Sequence, residues 1–98
     1  MNAVTIVGTE YYFGIQVFKV GQILHCIKDP ENNYDMEAIK VVSDVDVQYG
    51  HIANSIHTVA KGCKSGGRIY DTFEKRLKIQ VQYIIGNAVI ALIICDDK

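Results

Sequence analysis

No apolar stretch in these 98 residues approaches the roughly 20 needed for a helix to cross a bilayer. The longest, "AVIALIIC" at 88–95, has the length of a strand, so no membrane partner is expected. The opening "MNAVTIVGTEYY" has neither a basic head nor a cleavable apolar segment, which predicts no signal peptide and a cytoplasmic protein. Cysteine is scarce and unpaired in number. Cys26, Cys63 and Cys95 lie more than thirty residues apart, a spacing that fits neither a disulfide framework nor a paired-thiol metal site. Each has apolar neighbours and reads as a small buried hydrophobe. The phosphate-cradling patterns GxGxxG and GxxxxGK[ST] are missing, and "KGCKSGG" is glycine-rich and basic with the spacing of neither.

Catalytic groupings are equally thin. There is no GxSxG, and Cys26 follows His25 directly, which on a strand sends the two side chains to opposite faces. His25, His51 and His57 show no metal-ligand spacing on one element. The reading is therefore of a chain that is not an enzyme and takes no metal or other cofactor. No repeat, linker or low-complexity segment interrupts it, so a single domain over 1–98 is expected.

Nearly half of the residues are apolar, enough for a folded core. Net charge is only −1, yet it is unevenly spread. Residues 29–46 hold six acids (Asp29, Glu31, Asp35, Glu37, Asp44, Asp46) against Lys40 alone, a local net of −5. Residues 61–78 hold six bases (Lys61, Lys64, Arg68, Lys75, Arg76, Lys78) against Asp71 and Glu74, a local net of +4. That asymmetry suits a basic face on a neutral protein, or two ordinary solvated faces.

Periodicity argues for a mainly β chain. "AVTIVG" (3–8) is a β-branched strand ending at a glycine, and "GIQVFKVGQILHCIKD" (14–29) alternates on both sides of Gly21 as a bent or bulged strand pair. "EAIKVVS" (37–43) and "VQYGHIA" (47–53), split by "DVD", form a hairpin. "RLKIQVQYI" (76–84) alternates cleanly, and "GN" at 86–87 turns the chain into a buried last strand, 88–95. A helix is predicted over 54–63, capped by Asn54 or Ser55, with Ile56, Val59, Ala60 and Cys63 at helical spacing. A short second helix is placed in 69–76. About six strands with one or two short helices predict a small, partly open β-barrel.

Three stretches carry more than this framework needs: "VGTEYYFG" (7–14), "DPENNYDMEAIKV" (29–41) and "YGHI" (49–52). Together and in this order they resemble the HIRAN domain family. Its pattern is a glycine with paired aromatics and a second glycine, a D/E-P-x-N-P-Y-D-x-x-A-I-x-V block, and a G-Y/H-I/L turn. The middle block matches at Asp29, Pro30, Asn32, Tyr34, Asp35, Ala38, Ile39 and Val41, and the resemblance covers residues 3 to 94. It is similar to the stand-alone bacterial and phage type. The resemblance implies an OB-like barrel and a non-catalytic module of DNA repair that captures the 3′ end of single-stranded DNA. A helicase-like or other protein partner is also implied, since the family occurs fused to helicase-like ATPases.

Carried onto this chain, the resemblance makes Tyr11, Tyr12 and Tyr34 stacking faces for terminal bases. Asp35 becomes the acceptor for the free 3′-hydroxyl. Asn32, His51 and the backbone near Gly50 hold the last phosphates or base edges. The chain departs from the pattern at four positions. Glu10 stands where the DNA-binding type has arginine, Glu31 and Asn33 replace an asparagine and a proline, and Asn54 falls where a lysine follows the turn. A like charge at contact distance from a phosphate costs on the order of 1 kcal/mol in water-like dielectric.

On residue type alone, one of Tyr11 and Tyr12 would be core and the other surface, as strand faces alternate. Asp35 and Asn32 would order their own loop, and His51 would be a satisfied strand-end histidine. Two other readings stand beside DNA-end binding. One is a protein-interaction module whose DNA affinity is lost through Glu10, Glu31 and Asn54. The other is a small hydrolase using Asp29, Glu31 and Asp35 with a divalent cation.

Overall fold

A computed structural model describes residues 2–96; Met1, Asp97 and Lys98 of the expected 1–98 domain lie outside the described residues. Six antiparallel strands close into a barrel in the order β1-β4-β3-β2-β5-β6: β1 (Ala3–Val7), β2 (Ile23–Lys28), β3 (Ile39–Val42), β4 (Gln48–Ile52), β5 (Arg76–Ile85) and β6 (Ala88–Asp96). The strand count matches the sequence reading, and the barrel is closed where a partly open one was expected. Closure runs through β1, which pairs β6 at Ala3↔Leu92 and β4 at Val7↔His51.

The inward positions fill the barrel with aliphatic side chains. Val4, Ile6, Leu24, Val41, Ile52, Ile79, Val81 and Val89 are all buried in one cluster, and Phe18, Ile69 and Phe73 pack against them. Burying side chains of this size stabilises by about 1.5–3 kcal/mol each. Cys26 joins the core, and burial pushes its thiol up to about 12, so it stays protonated at neutral pH. Its neighbour His25 turns outward with Nε2 3.2 Å from Asp44 Oδ1, as strand alternation requires. Cys63 is half-buried and Cys95 is exposed, which corrects the reading of all three cysteines as buried.

The hairpins follow their turn chemistry. Ser43 Oγ accepts from the amides of Val45 and Val47, and Asp46 takes a left-handed φ of 62° to bring β3 round into β4. Gly86, at φ 59°, turns β5 into β6. The last strand is buried over Val89–Ala91, whereas Ile94 and Cys95 are exposed at its far end.

Two expected elements did not form. Residues 14–20 are no strand; Ile15–Val17 make a turn of 3₁₀ helix, and only the amides near Gly21 join the sheet, Gly21 N–H donating to Val81 O at 2.8 Å. Gly14 and Gly21 take left-handed φ values of 79° and 89°, which break the extended run at both of its ends. Residues 54–63 are no helix beyond one turn, in which Val59 N–H donates to Ser55 O at 2.9 Å. From there the segment is claimed by β1: Ala60 N–H donates to Thr5 Oγ1 at 3.0 Å and Lys64 N–H to Ala3 O at 2.8 Å. The segment is a strap over the outer face of β1, which is why four successive residues, Ala3–Ile6, are buried. Ile56, first residue of the expected apolar stripe, is 90% exposed. The α-helix that does form is one turn, α1 (Gly66–Ile69), continued as 3₁₀ helix over Tyr70–Thr72, slightly ahead of the expected second helix.

Candidate functional site

The polar crowd between β2 and β3 organises its own backbone. Asp29 and Ala38 close the loop, Asp29 N–H donating to Ala38 O at 2.8 Å. Pro30 follows Asp29 in a turn closed by Asn32 N–H to Asp29 O at 3.1 Å, the second turn position where its fixed φ is favoured. Asn32 Oδ1 then accepts from the amides of Tyr34 (2.8 Å) and Asp35 (3.0 Å), and Asp35 Oδ1 accepts from Glu37 N–H at 2.9 Å. Each such bond is worth about 0.5–1.5 kcal/mol, so the loop is stiffened from within. The outcome for Tyr34 is the opposite of packing, since its side chain is 98% exposed.

One long-range contact fixes this loop to the rest of the fold. Asn54 Nδ2 donates to Asp35 Oδ2 at 2.9 Å, while Asn54 Oδ1 accepts from Gly67 N–H at 2.6 Å. Asn54, expected as a helix cap, is a tie between the 29–38 loop and the α1 segment. Between the loop and the strap lies an open groove of about 470 Å³, lined by Asn32, Tyr34, Asp35, His51, Asn54 and Ser55 among others. Val7 and His51, paired across β1 and β4, are also in its lining.

In the groove, His51 is a titratable group that its surroundings shift. Burial lowers its pKa below the usual 6.5, Asp29 opposes that shift, and Lys40, its partner across β3–β4, adds to it. Gln48 Nε2 lies 3.2 Å from His51 Nε2; with the amide donating, the ring is neutral and Nδ1, beside Gly8, carries the proton. The ring of Tyr12 leans on His51 with centroids 5.7 Å apart. Because the native state resists protonation here, the unfolded chain takes up a proton first as pH falls through about 6.5, and stability drains toward acid. The thermal midpoint should therefore fall further between about pH 7 and about pH 5 in the wild type than in His51→Gln. Equal falls would assign the acid limb to other groups.

Of the residues expected from the sequence, Asn32, Tyr34, Asp35 and His51 share the groove, with Tyr12 touching it through His51. Tyr11 and Tyr12 are not on a strand. Thr9–Tyr11 is a turn of 3₁₀ helix, so both rings are exposed and neither is core; Tyr11 is 82% exposed and does not line the groove. Gly50 is buried beneath β1, where an added Cβ would stand 2.8 Å from Val7 O. Glu10 and Glu31 are exposed. The sequence did not mark Lys40, Ser55 or Thr58 as belonging to a site. A cation facing His51 across two strands is visible only once the register is known.

The basic 61–78 segment is not one patch. Arg76 is bound to Asp46, and only Lys61 and Arg68 come to a second groove beside the first. Among the described residues no three His, Cys, Asp or Glu side chains gather as metal ligands, and no helix is long and apolar enough to cross a membrane. Both oxygens of Asp35 already accept hydrogen bonds, a poor starting point for the hydrolytic pair.

A family model for the HIRAN domain matches residues 2–85. Among solved structures, the chain is similar to a protein from Lactobacillus plantarum (TM-score 0.66, 18% identity, 95% of this chain and 89% of that one). It is also similar to the HIRAN domain of human HLTF (TM-score 0.63, 18% identity, 97% and 75%). At that identity the two structures speak for the fold. No curated protein sequence matches the chain.

Proposed function

The chain belongs to the HIRAN domain family, and on that footing we propose that it is a non-catalytic module, one domain over 1–98, that captures the 3′-hydroxyl end of single-stranded DNA. The observation that carries this reading is Tyr34, a fully exposed ring on a loop stiffened by its own side chains, at the lip of the groove. A protein gains nothing in folding from presenting an aromatic ring to water on an ordered loop. A base stacked on such a ring gains about 1–3 kcal/mol. Tyr12, leaning on His51, offers a second face. Asp35, held by Asn54 and Glu37, has lone pairs to spare for a terminal hydroxyl, because a carboxylate has about four acceptor positions. His51 Nδ1–H and Asn32 supply donors for the last phosphate or a base edge. A place in DNA repair beside a helicase-like partner, in the cytoplasm, accords with this reading.

The test is fluorescence anisotropy at low salt with three matched oligonucleotides: a free 3′-hydroxyl, a 3′-phosphate and a closed circle. Binding confined to the free hydroxyl supports end capture. Absence of binding to all three refutes it and leaves the protein-interaction reading. One observation favours that second reading: beyond the barrel, the β5–β6 hairpin exposes Tyr83, Ile84 and Ile85 together.

A further inference from the structure

The groove that holds Asp35 is bounded on one side by Asn54 and Ser55. The same two residues line a second groove of about 360 Å³, so the two grooves lie on either side of a shared wall. Lys61 and Arg68 border the second groove, and neither is paired with a carboxylate among the described residues. Ile56, 90% exposed, stands in its lining beside Ser55. The balance in the first groove is different: among the described residues its lining holds the carboxylate of Asp35 and no lysine or arginine.

We propose that single-stranded DNA held by its end in the first groove leaves it over Asn54 and Ser55, and that Lys61 and Arg68 bind the phosphates that follow on the 5′ side. This rests on the end-capture reading and adds to it a direction and two cationic contacts. An anionic strand follows the path whose charges neutralise it, and phosphate contacts dominate affinity for nucleic acid. One carboxylate, that of Glu37, lies against Gly67 at the edge of this path, and two cations outweigh it. Ile56 gives a base an apolar edge to rest on at the crossing. Two cations on the second groove would also offset the Glu10, Glu31 and Asn54 of this chain.

The experiment compares wild type with the Lys61→Ala/Arg68→Ala double variant, both positions being exposed. Binding of a 3′-hydroxyl oligonucleotide of about ten nucleotides is measured against salt, beside a trinucleotide with the same end. Each phosphate contact on a single strand contributes about 0.7 to the slope of log K against log salt, so the slope should flatten by about 1.4 for the longer strand. The trinucleotide should bind both proteins alike. An unchanged slope with selectivity for the 3′-hydroxyl intact overturns the exit path and leaves end capture standing. Wild type that binds neither oligonucleotide overturns both.

Discussion

Asp35→Ala should erase the preference for a 3′-hydroxyl over a 3′-phosphate. Hydrogen bonds to a charged group are worth about 1.5–3 kcal/mol, so affinity for the free end should fall on the order of 10- to 100-fold. A second effect accompanies the first. Asp35 accepts from Glu37 N–H and Asn54 Nδ2, and without it the loop loses its bond to the strap. Loosening alone would weaken both oligonucleotides equally, since the same rings stack on either. The ratio of the two affinities separates the effects, and anisotropy titration of each oligonucleotide measures it. A collapse toward one is the signature of a hydroxyl acceptor; an unchanged ratio at lower affinity would make Asp35 a loop residue only.

Gly50→Ala should destabilise the fold strongly while changing no charge and removing no polar group. An added Cβ would meet Val7 O at 2.8 Å and Ile6 Cγ2 at 3.0 Å. The first is backbone that closes the barrel, pairing β1 with β4 through Ile6↔Ile52 and Val7↔His51, and it cannot rotate away. Overpacking of this kind costs about 1–3 kcal/mol. For a domain of this size that lowers the thermal midpoint by about 4–8 °C per kcal/mol. Thermal denaturation by circular dichroism is the measurement, and a shift within about 2 °C would mean that β1 and β4 separate at little cost. His51 sits beside Gly50 on β4, so DNA affinity should fall with stability.

Local chemistry made much of this protein legible in its sequence. The alternation in 76–84, the "GN" turn and the "DVD" separator are short-range signals, and the strands and hairpins they predict all formed. The family block at 29–41 was legible for a similar reason, because the bonds among Asp29, Asn32, Asp35 and Glu37 span only two or three residues. The helical spacing of 54–63 was equally clear and yet misleading. The amide of Ala60, and that of Lys64 just beyond the segment, had better partners in Thr5 and Ala3, some sixty residues away in the chain, and a periodic pattern carries no information about such competitors.

The sequence by itself determined a single β-barrel with short helices, its turns, its family and a self-ordered loop around Tyr34. Only the tertiary structure decided that Asn54 ties that loop to the α1 segment, that Tyr12 leans on His51, and that Lys61 and Arg68 alone of the basic segment border a groove sharing a wall with the first. The division has one physical cause. Turn chemistry and periodicity act within a few residues, whereas closing the barrel settles which distant side chains become neighbours, and a binding groove consists of such neighbours.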